Sequence, residues 1–161
     1  MKPAVVDASP VIILARAGFV DLLPRLLSPV QVPLAVAGEI LAGPAEDPAR
    51  RLLAQLPDWL SIVPSTPTSS LLAPWRLGPG ESEVLEHAIR HAGTMAVLDD
   101  KAARRAARAL QLPMTGTLGL LVAASDAGLV PSLEAAFAAA SRGGLYIDPA
   151  TSAALTRRVG P

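Results

Sequence analysis

Short β-prone runs alternate with helix-length segments along this chain of 161 residues, and this alternation limits its fold more than any other feature. Apolar runs predict strands at 4–6, 30–32, 59–63, 95–98 and 113–114. Segments bounded by Pro, Gly or Ser predict helices at 11–17, 21–27, 34–41, 48–56, 81–91, 101–110, 116–127, 131–141 and 149–157. We therefore expect an α/β fold with three layers, α/β/α, around a central, mostly parallel sheet.

The composition indicates one domain with an aliphatic core. Hydrophobic residues make up 51% of the chain and aromatic residues only 3%, so Ala, Leu, Val and Ile must fill the interior. The stretch 64–79 is rich in Pro, Ser and Thr. It is interpreted as a loop, because neither flank alone could form a core. We expect residues 1–161 to form a single domain.

Charge and cysteine content exclude several classes of protein. The 14 basic residues balance 14 acidic ones, so the chain lacks the overall positive charge of proteins that bind nucleic acid by bulk electrostatics. The absence of Cys excludes disulfides, thiolate zinc sites and thiol catalysis. Asp7 comes too early for a signal peptide, and no apolar run is as long as a membrane span. We expect a cytoplasmic protein with no membrane association.

Acidic residues follow two of the predicted strands. Asp7 follows the run at 4–6 and Asp99 follows the run at 95–98. In an open parallel sheet the carboxyl ends of the strands form the ligand-binding edge, so both side chains are expected there. Glu39 lies on the helix after the second strand, and Glu81 begins the helix that precedes the fourth. Carboxylates gathered without His or Cys favour Mg²⁺ or Mn²⁺ and phosphoryl chemistry.

Each of these acids also has a simpler structural explanation. Asp7 stands before Ser9-Pro10 and could cap the first helix, and Asp99 or Asp100 could cap the next basic helix. Glu39 taken alone is most simply a surface residue. The metal hypothesis therefore depends on the joint placement of the acids rather than on any one of them.

Five segments in order resemble the PIN-domain family, and in particular a prokaryotic branch similar to the VapC-like toxins. They are Asp7-Ala8-Ser9-Pro10-Val11-Ile12, Glu39-Ile40, Gly80-Glu81-Ser82-Glu83, Leu98-Asp99-Asp100-Lys101 and Thr115-Gly116-Thr117-Leu118-Gly119. The resemblance spans Asp7 to about Leu120. It implies a Mg²⁺- or Mn²⁺-dependent ribonuclease site, frequent homodimers, and often a small antitoxin encoded alongside.

Carried over by position, the resemblance makes Asp7, Glu39, Glu81 and Asp99 the catalytic, metal-binding acids. The family commonly has Asp at the third position, so Glu81 departs from the pattern. Glu83 competes with it, because residues two apart on a helix cannot both face one metal. Asp100 is a similar rival of Asp99 as a metal ligand. The auxiliary residues predicted beside the site are Ser9, Glu83, Thr115 and Thr117.

A basic stripe follows the proposed site, with cationic side chains at spacings of three and four on one helix. Its members are Lys101, Arg104, Arg105 and Arg108. They could contact RNA phosphates, although a solvated helix face is the simpler explanation. His87 and His91 lie one turn apart, and we interpret them as ordinary helix residues because no third soft ligand is found.

The placement of the acids together with the resemblance predicts a divalent-metal-dependent endoribonuclease, and the resemblance to VapC-like toxins implies that it is the toxin of a toxin-antitoxin pair. The alternative is a nucleic-acid-binding module of the same fold with weak or no catalysis. A phosphate-binding fold with a Gly-rich loop is disfavoured, since neither familiar loop spacing occurs. We also expect a homodimer, because the C-terminal half has more apolar residues than one small core needs, namely Leu118, Leu120, Leu121, Val122 and Phe137.

Overall fold

The centre of the fold is a five-stranded parallel sheet, seen in a computed structural model that describes residues 1–158. The strands are β1 (Lys2–Val6), β2 (Leu27–Pro33), β3 (Leu60–Val63), β4 (Met95–Val97) and β5 (Met114–Thr115). They lie in the order β3-β2-β1-β4-β5, and each neighbouring pair is parallel. The predicted parallel sheet is confirmed.

Helices cover both faces of this sheet. Within residues 1–158 there are nine α-helices: α1 (Ala8–Arg16), α2 (Leu22–Leu26), α3 (Leu34–Leu41), α4 (Pro48–Ala54), α5 (Pro79–Arg90), α6 (Lys101–Ala109), α7 (Thr117–Asp126), α8 (Leu133–Arg142) and α9 (Pro149–Arg158). Helix α5 packs on β1, β2 and β4, and α1 packs against α4, α7 and α8. The arrangement is the predicted three-layer α/β/α architecture.

Strand β2 begins earlier than its sequence indicates. The helix predicted at 21–27 ends at Leu26, and Leu27 is instead a buried strand residue opposite Lys2. Lys2 pairs with Leu27, and Ala4 pairs with Val30. Between these two pairs β1 has one residue and β2 has two, so β2 contains a bulge. Pro29 lies in this bulge, where a strand tolerates a residue without an N–H group.

The core is aliphatic, as the composition predicts. The fully buried large side chains include Leu14, Leu23, Leu85, Leu98 and Leu121. The segment 64–78 carries one short 3₁₀ helix, Ala73–Trp75, and otherwise no strand or α-helix. It is held to α5 by Glu86, which is buried and accepts hydrogen bonds from the Ser69 N–H group (3.0 Å) and from Arg90 Nε (3.0 Å).

The apolar surplus of the C-terminal half lies mostly inside the chain itself. Leu120, Leu121 and Phe137 are buried in the core, so these three cannot form the dimer interface for which they were candidates. Leu118 and Val122 are only partly buried. The expected homodimer would therefore need these two or other surfaces.

The strand order defines the edge at which a ligand would bind. From β1 the chain builds β2 and β3 on one side and then returns to place β4 and β5 on the other. The order thus reverses between β1 and β4, and in open parallel sheets ligands bind at the carboxyl ends of the strands flanking such a point. Of the helices in residues 1–158, none is long and apolar enough to cross a membrane.

Candidate active site

Asp7 lies at the carboxyl end of β1, at the point where the strand order reverses. Its backbone N–H group donates to the Val97 carbonyl of β4 (3.0 Å), which joins the ends of the two central strands. Asp7 occupies the N-cap position of α1, but its side chain makes no capping hydrogen bond. The residue is nevertheless buried, with an exposed fraction of only 5%. A role as a simple helix cap therefore does not account for it.

Burial and neighbouring charges change the acidity of Asp7. The pKa of Asp7 is raised from 3.8 to about 7, mainly by burial; the Ala8 backbone N–H group lowers it, and the negative charges of Glu81, Glu39 and Asp99 make smaller upward contributions in that order. The three acids that act on Asp7 are the other three predicted site residues. The structure thus brings the other three carboxyl groups within electrostatic reach of Asp7.

The carboxyl groups of Asp7 and Glu39 both lie close to Gly80, the second residue of α5. A methyl group on Gly80 would lie 3.2 Å from Asp7 Oδ1 and 3.3 Å from Glu39 Oε2. These two oxygens are therefore no more than about twice that distance apart, and glycine leaves the space between them free. Partial burial of the Glu39 carboxyl group and the charge of Glu81 raise the pKa of Glu39. Glu39 is thus part of the acidic cluster rather than an isolated surface residue.

Glu81 and Glu83, the two rivals on α5, have different surroundings. The Glu81 carboxylate lies back over the helix start, where a methyl group on Gly78 would be 2.5 Å from its Oε2, and its charge acts on both Asp7 and Glu39. Glu83 Oε2 instead accepts a hydrogen bond from the Ala35 N–H group in the first turn of α3 (2.9 Å). The structure therefore favours Glu81 as the third acid and gives Glu83 a capping contact.

Asp99 follows β4 and is oriented by Thr117 at the start of α7. Its Oδ1 accepts from the Thr117 N–H group (2.8 Å) and its Oδ2 from the Thr117 hydroxyl (2.6 Å). Thr117 is completely buried. The two bonds fix the plane of the Asp99 carboxylate, so Thr117 has the orienting contact expected of an auxiliary residue.

Asp100, the predicted rival of Asp99 as a metal ligand, has a structural contact of its own. Asp100 is the N-cap of α6, and its Oδ2 accepts a hydrogen bond from the Ala103 N–H group (2.8 Å). The free N–H groups at a helix start attract such a carboxylate. The structure thus assigns Asp100 to capping, while Asp99 turns toward β5 and α7.

Arg104 does not share the environment of the other members of the basic stripe. It is partly buried, and its Nη1 donates to the Leu98 carbonyl immediately before Asp99 (2.9 Å). A methyl group on Gly116 would lie 2.6 Å from that nitrogen and 2.8 Å from Asp99 Oδ1. The guanidinium group therefore lies beside the acidic cluster. The remaining three members of the stripe are exposed, namely Lys101, Arg105 and Arg108.

A cleft of about 820 Å³ opens beside Asp99. Ser9 and Thr115 lie on its wall, and the Thr115 hydroxyl also lies against Gly119 in α7. Neither hydroxyl makes a hydrogen bond to any of the four acids in the described part of the chain. The cleft borders Asp99 but not Asp7, Glu39 or Glu81. It therefore flanks the acidic cluster instead of containing it.

The donor set suits a hard divalent cation. All four candidate ligands offer carboxylate oxygens, which Mg²⁺ and Mn²⁺ prefer, and Gly80 leaves room between two of them. In the side-chain conformations of residues 1–158, no three acidic or His side chains are close enough together to hold one ion. Binding would therefore require the exposed Glu39 or the partly buried Glu81 to rotate toward Asp7.

The fold and the site define a class: a three-layer α/β/α protein with acids at the carboxyl edge of a parallel sheet. A family model described as a PIN domain matches residues 3–161, and the chain belongs to that family. PIN domains are generally nucleases that use divalent metal ions, which implies a nucleic-acid substrate. Neither the curated proteins nor the solved structures contain a significant match to the chain.

Two features of the site were not foreseen from the sequence. One is the inward direction of Arg104, which the helical spacing placed on a common stripe with three exposed residues. The other is Tyr146, which lies at the cleft beside Asp99. The glycine of the Thr-Gly-Thr segment indicates a close approach of backbone and side chains at Gly116, but no local signal brings residue 146 to this place.

Proposed function

We propose that this PIN domain is a divalent-metal-dependent endoribonuclease whose ligands are Asp7, Glu39, Glu81 and Asp99. The observation that carries the proposal is the convergence of the other three charges on the buried Asp7. Uncompensated carboxylates in one place destabilise a fold, and a divalent cation neutralises them. Mg²⁺ or Mn²⁺, when bound, would activate a water molecule and stabilise the leaving oxygen of a phosphodiester.

The chain's own groups have separable tasks in this proposal. Thr117 holds the Asp99 carboxylate in one orientation through two hydrogen bonds. Asp7 has a pKa of about 7 in the metal-free chain, so binding of a cation to its carboxylate would release a proton at neutral pH. Arg104 places positive charge next to Asp99, where it can attract a phosphate. The exposed Lys101 lies on the wall of the same cleft and extends this attraction.

RNA as the substrate and the toxin role rest on the resemblance to VapC-like toxins. The residues that carry it are the Asp7-Ala8-Ser9-Pro10 opening and the segment 115–119. We propose that the chain is the toxin of a toxin-antitoxin pair, that a small antitoxin protein is encoded beside it, and that it acts as a homodimer in the cytoplasm.

Two neighbouring aspartates provide a matched test of the nuclease proposal. Asp99→Asn should abolish Mn²⁺-dependent cleavage of a single-stranded RNA, because it removes a ligand oxygen. Asp100→Asn should leave cleavage nearly unchanged, since Asn is an equally good helix cap. Cleavage by the parent should also disappear in EDTA. Cleavage that persists in EDTA, or full activity in Asp99→Asn, would contradict the proposal.

A second candidate is a nucleic-acid-binding module with weak or no catalysis. It is favoured because, among residues 1–158, no three acidic or His side chains lie close enough together to hold one metal ion. This candidate predicts that the chain binds single-stranded RNA but does not cut it at saturating Mn²⁺. Cleavage by the parent that depends on Asp99 rules the second candidate out.

A further inference from the structure

The cleft beside Asp99 has a charged end and an apolar wall. Lys101 and Arg104 contribute the two cations, and Asp99 joins the cleft to the acidic cluster. The apolar wall comes from α1, β5, α7 and the segment after α8, and its main side chains are Ile13, Met114, Leu118, Val122 and Leu145. Such a combination of apolar surface with a few polar groups is typical of a site for a small organic group.

The size of the cleft agrees with this interpretation. Ligand pockets usually measure roughly 300–1,000 Å³, and this cleft measures about 820 Å³. Leu118 and Val122 are only partly buried, so the fold itself does not cover this wall. A flat apolar group that entered the cleft would remove more of their surface from water.

Tyr146 at the cleft has a different environment from the other aromatic residues. The chain has two Trp, two Phe and one Tyr. Phe137 belongs to the core, and three other aromatic residues pack against that core, namely Phe19, Trp59 and Trp75. Tyr146, in contrast, is 85% exposed. An aromatic ring in this position makes no contribution to the core. It is instead available to stack on a planar ligand.

We propose that this cleft is a nucleobase subsite, in which a base next to the scissile phosphate stacks on Tyr146 and lies against the apolar wall. Lys101 and Arg104 would then be near the phosphate that joins this nucleotide to the one at Asp99. The inference rests on the proposed nuclease function and specifies how that site would hold single-stranded RNA. Stacking on an aromatic side chain accepts any base, so the subsite selects unpaired strands rather than a sequence.

A second acidic residue besides Asp99, namely Asp148, lines the cleft. Its negative charge would repel a phosphate placed near it. Its carboxylate accepts hydrogen bonds from the Thr151 N–H group (2.9 Å) and the Thr151 hydroxyl at the start of α9. Both oxygens are therefore already engaged within the chain. The base, which carries no charge, is the part of a nucleotide that fits beside this residue.

The test compares RNA with and without bases. We would measure the binding of an oligouridine octamer and of an abasic ribose-phosphate octamer by fluorescence anisotropy, with Ca²⁺ in place of Mn²⁺. Tyr146→Ala should weaken oligouridine binding about tenfold, and Tyr146→Phe should restore it because the ring is retained. The abasic octamer should bind the parent and Tyr146→Ala equally. Leu71→Ala, at an exposed apolar residue outside the cleft, should leave both affinities unchanged.

The outcomes separate this subsite from the nuclease proposal when Mn²⁺-dependent cleavage by the parent is measured in parallel. If the parent cleaves RNA but Tyr146→Ala binds oligouridine normally, or loses affinity for both octamers equally, the subsite is wrong and the nuclease stands. If the parent does not cleave RNA but the base-dependent loss is seen, the subsite stands and the nuclease proposal is wrong. If neither cleavage nor the base-dependent loss is seen, both are wrong.

Discussion

Replacing Asp7 by Asn should make the metal-free protein more stable and the enzyme inactive. Asp7 is buried among three other carboxylates, so its charge is unfavourable in the absence of a cation. Asn has the same shape without the charge. The side chain of Asp7 makes no capping hydrogen bond to α1, so the substitution removes no such contact.

The size of the effect follows from the pKa of Asp7. In the folded chain this pKa is about 7, compared with 3.8 for an unperturbed Asp. The folded state therefore holds a proton more tightly, and the stability of the parent falls as the pH rises from about 4 to 7. Each pKa unit corresponds to about 1.4 kcal/mol. The full cost of the charge, on the order of 4 kcal/mol, is then present above pH 7 and mostly absent near pH 4.

The assay is chemical unfolding of the parent and of Asp7→Asn in EDTA at pH 4.5 and pH 8, chosen as about the two ends of this range. The unfolding free energy of the variant should exceed that of the parent by about 4 kcal/mol at pH 8 but by only about 1 kcal/mol at pH 4.5. Groups that do not act on Asp7, such as His87, whose burial lowers its pKa, contribute equally in both proteins and cancel in the difference. The neighbouring Glu39, Glu81 and Asp99 do not cancel, because their repulsion with Asp7 is present only in the parent. Mn²⁺-dependent RNA cleavage is measured on the same samples. Equal stability at pH 8, or full cleavage by the variant, would refute the reasoning.

Three further predictions concern the supports of the site and the assembly. Gly116→Ala should lower RNA cleavage and destabilise the fold by about 1–3 kcal/mol in thermal unfolding, because its methyl group would lie 2.6 Å from Arg104 Nη1. Gly38→Ala is the matched control and should not destabilise the fold, since its methyl group would meet nothing within 4 Å. Thr117→Val should reduce kcat for RNA cleavage and lower stability by about 1–2 kcal/mol, since it removes the hydroxyl bond to Asp99; an unchanged kcat would count against the orienting role. Sedimentation at micromolar concentration should show a homodimer, and a monomer alone would disprove it.

The strands and their acids could be predicted because the signals are local. Asp7 and Asp99 each follow a buried strand directly, and the alternation with helices makes those strands parallel, so both acids had to reach one edge of the sheet. The start of β2 could not be predicted, because Leu27 continues a helical apolar pattern. Only its pairing with Lys2, a contact between distant parts of the chain, makes it a strand residue.

The choice between competing residues needed the tertiary structure. Glu81 and Glu83 look alike in sequence, and what separates them is the Ala35 N–H group, 48 positions from Glu83. Asp99 and Asp100 are separated in the same way by Thr117, 18 positions from Asp99. The placement of Tyr146 at the cleft that Asp99 also lines likewise depends on the path of the segment after α8, which no local pattern specifies. Helical spacing specifies which residues share a face, but not which partner that face meets.

The bond from Glu83 to the start of α3 has a consequence for metal loading. It ties α5, the helix of Glu81, to α3, the helix of Glu39, so the two backbones that carry these acids are aligned when the chain folds. An arriving cation then has to reorient side chains only, and the entropy of ordering two helices has already been lost. Glu83→Ala, which removes the oxygen that accepts from the Ala35 N–H group, should accordingly slow or weaken cation uptake without removing a ligand, which would make Glu83 an element of preorganisation located outside the acidic cluster.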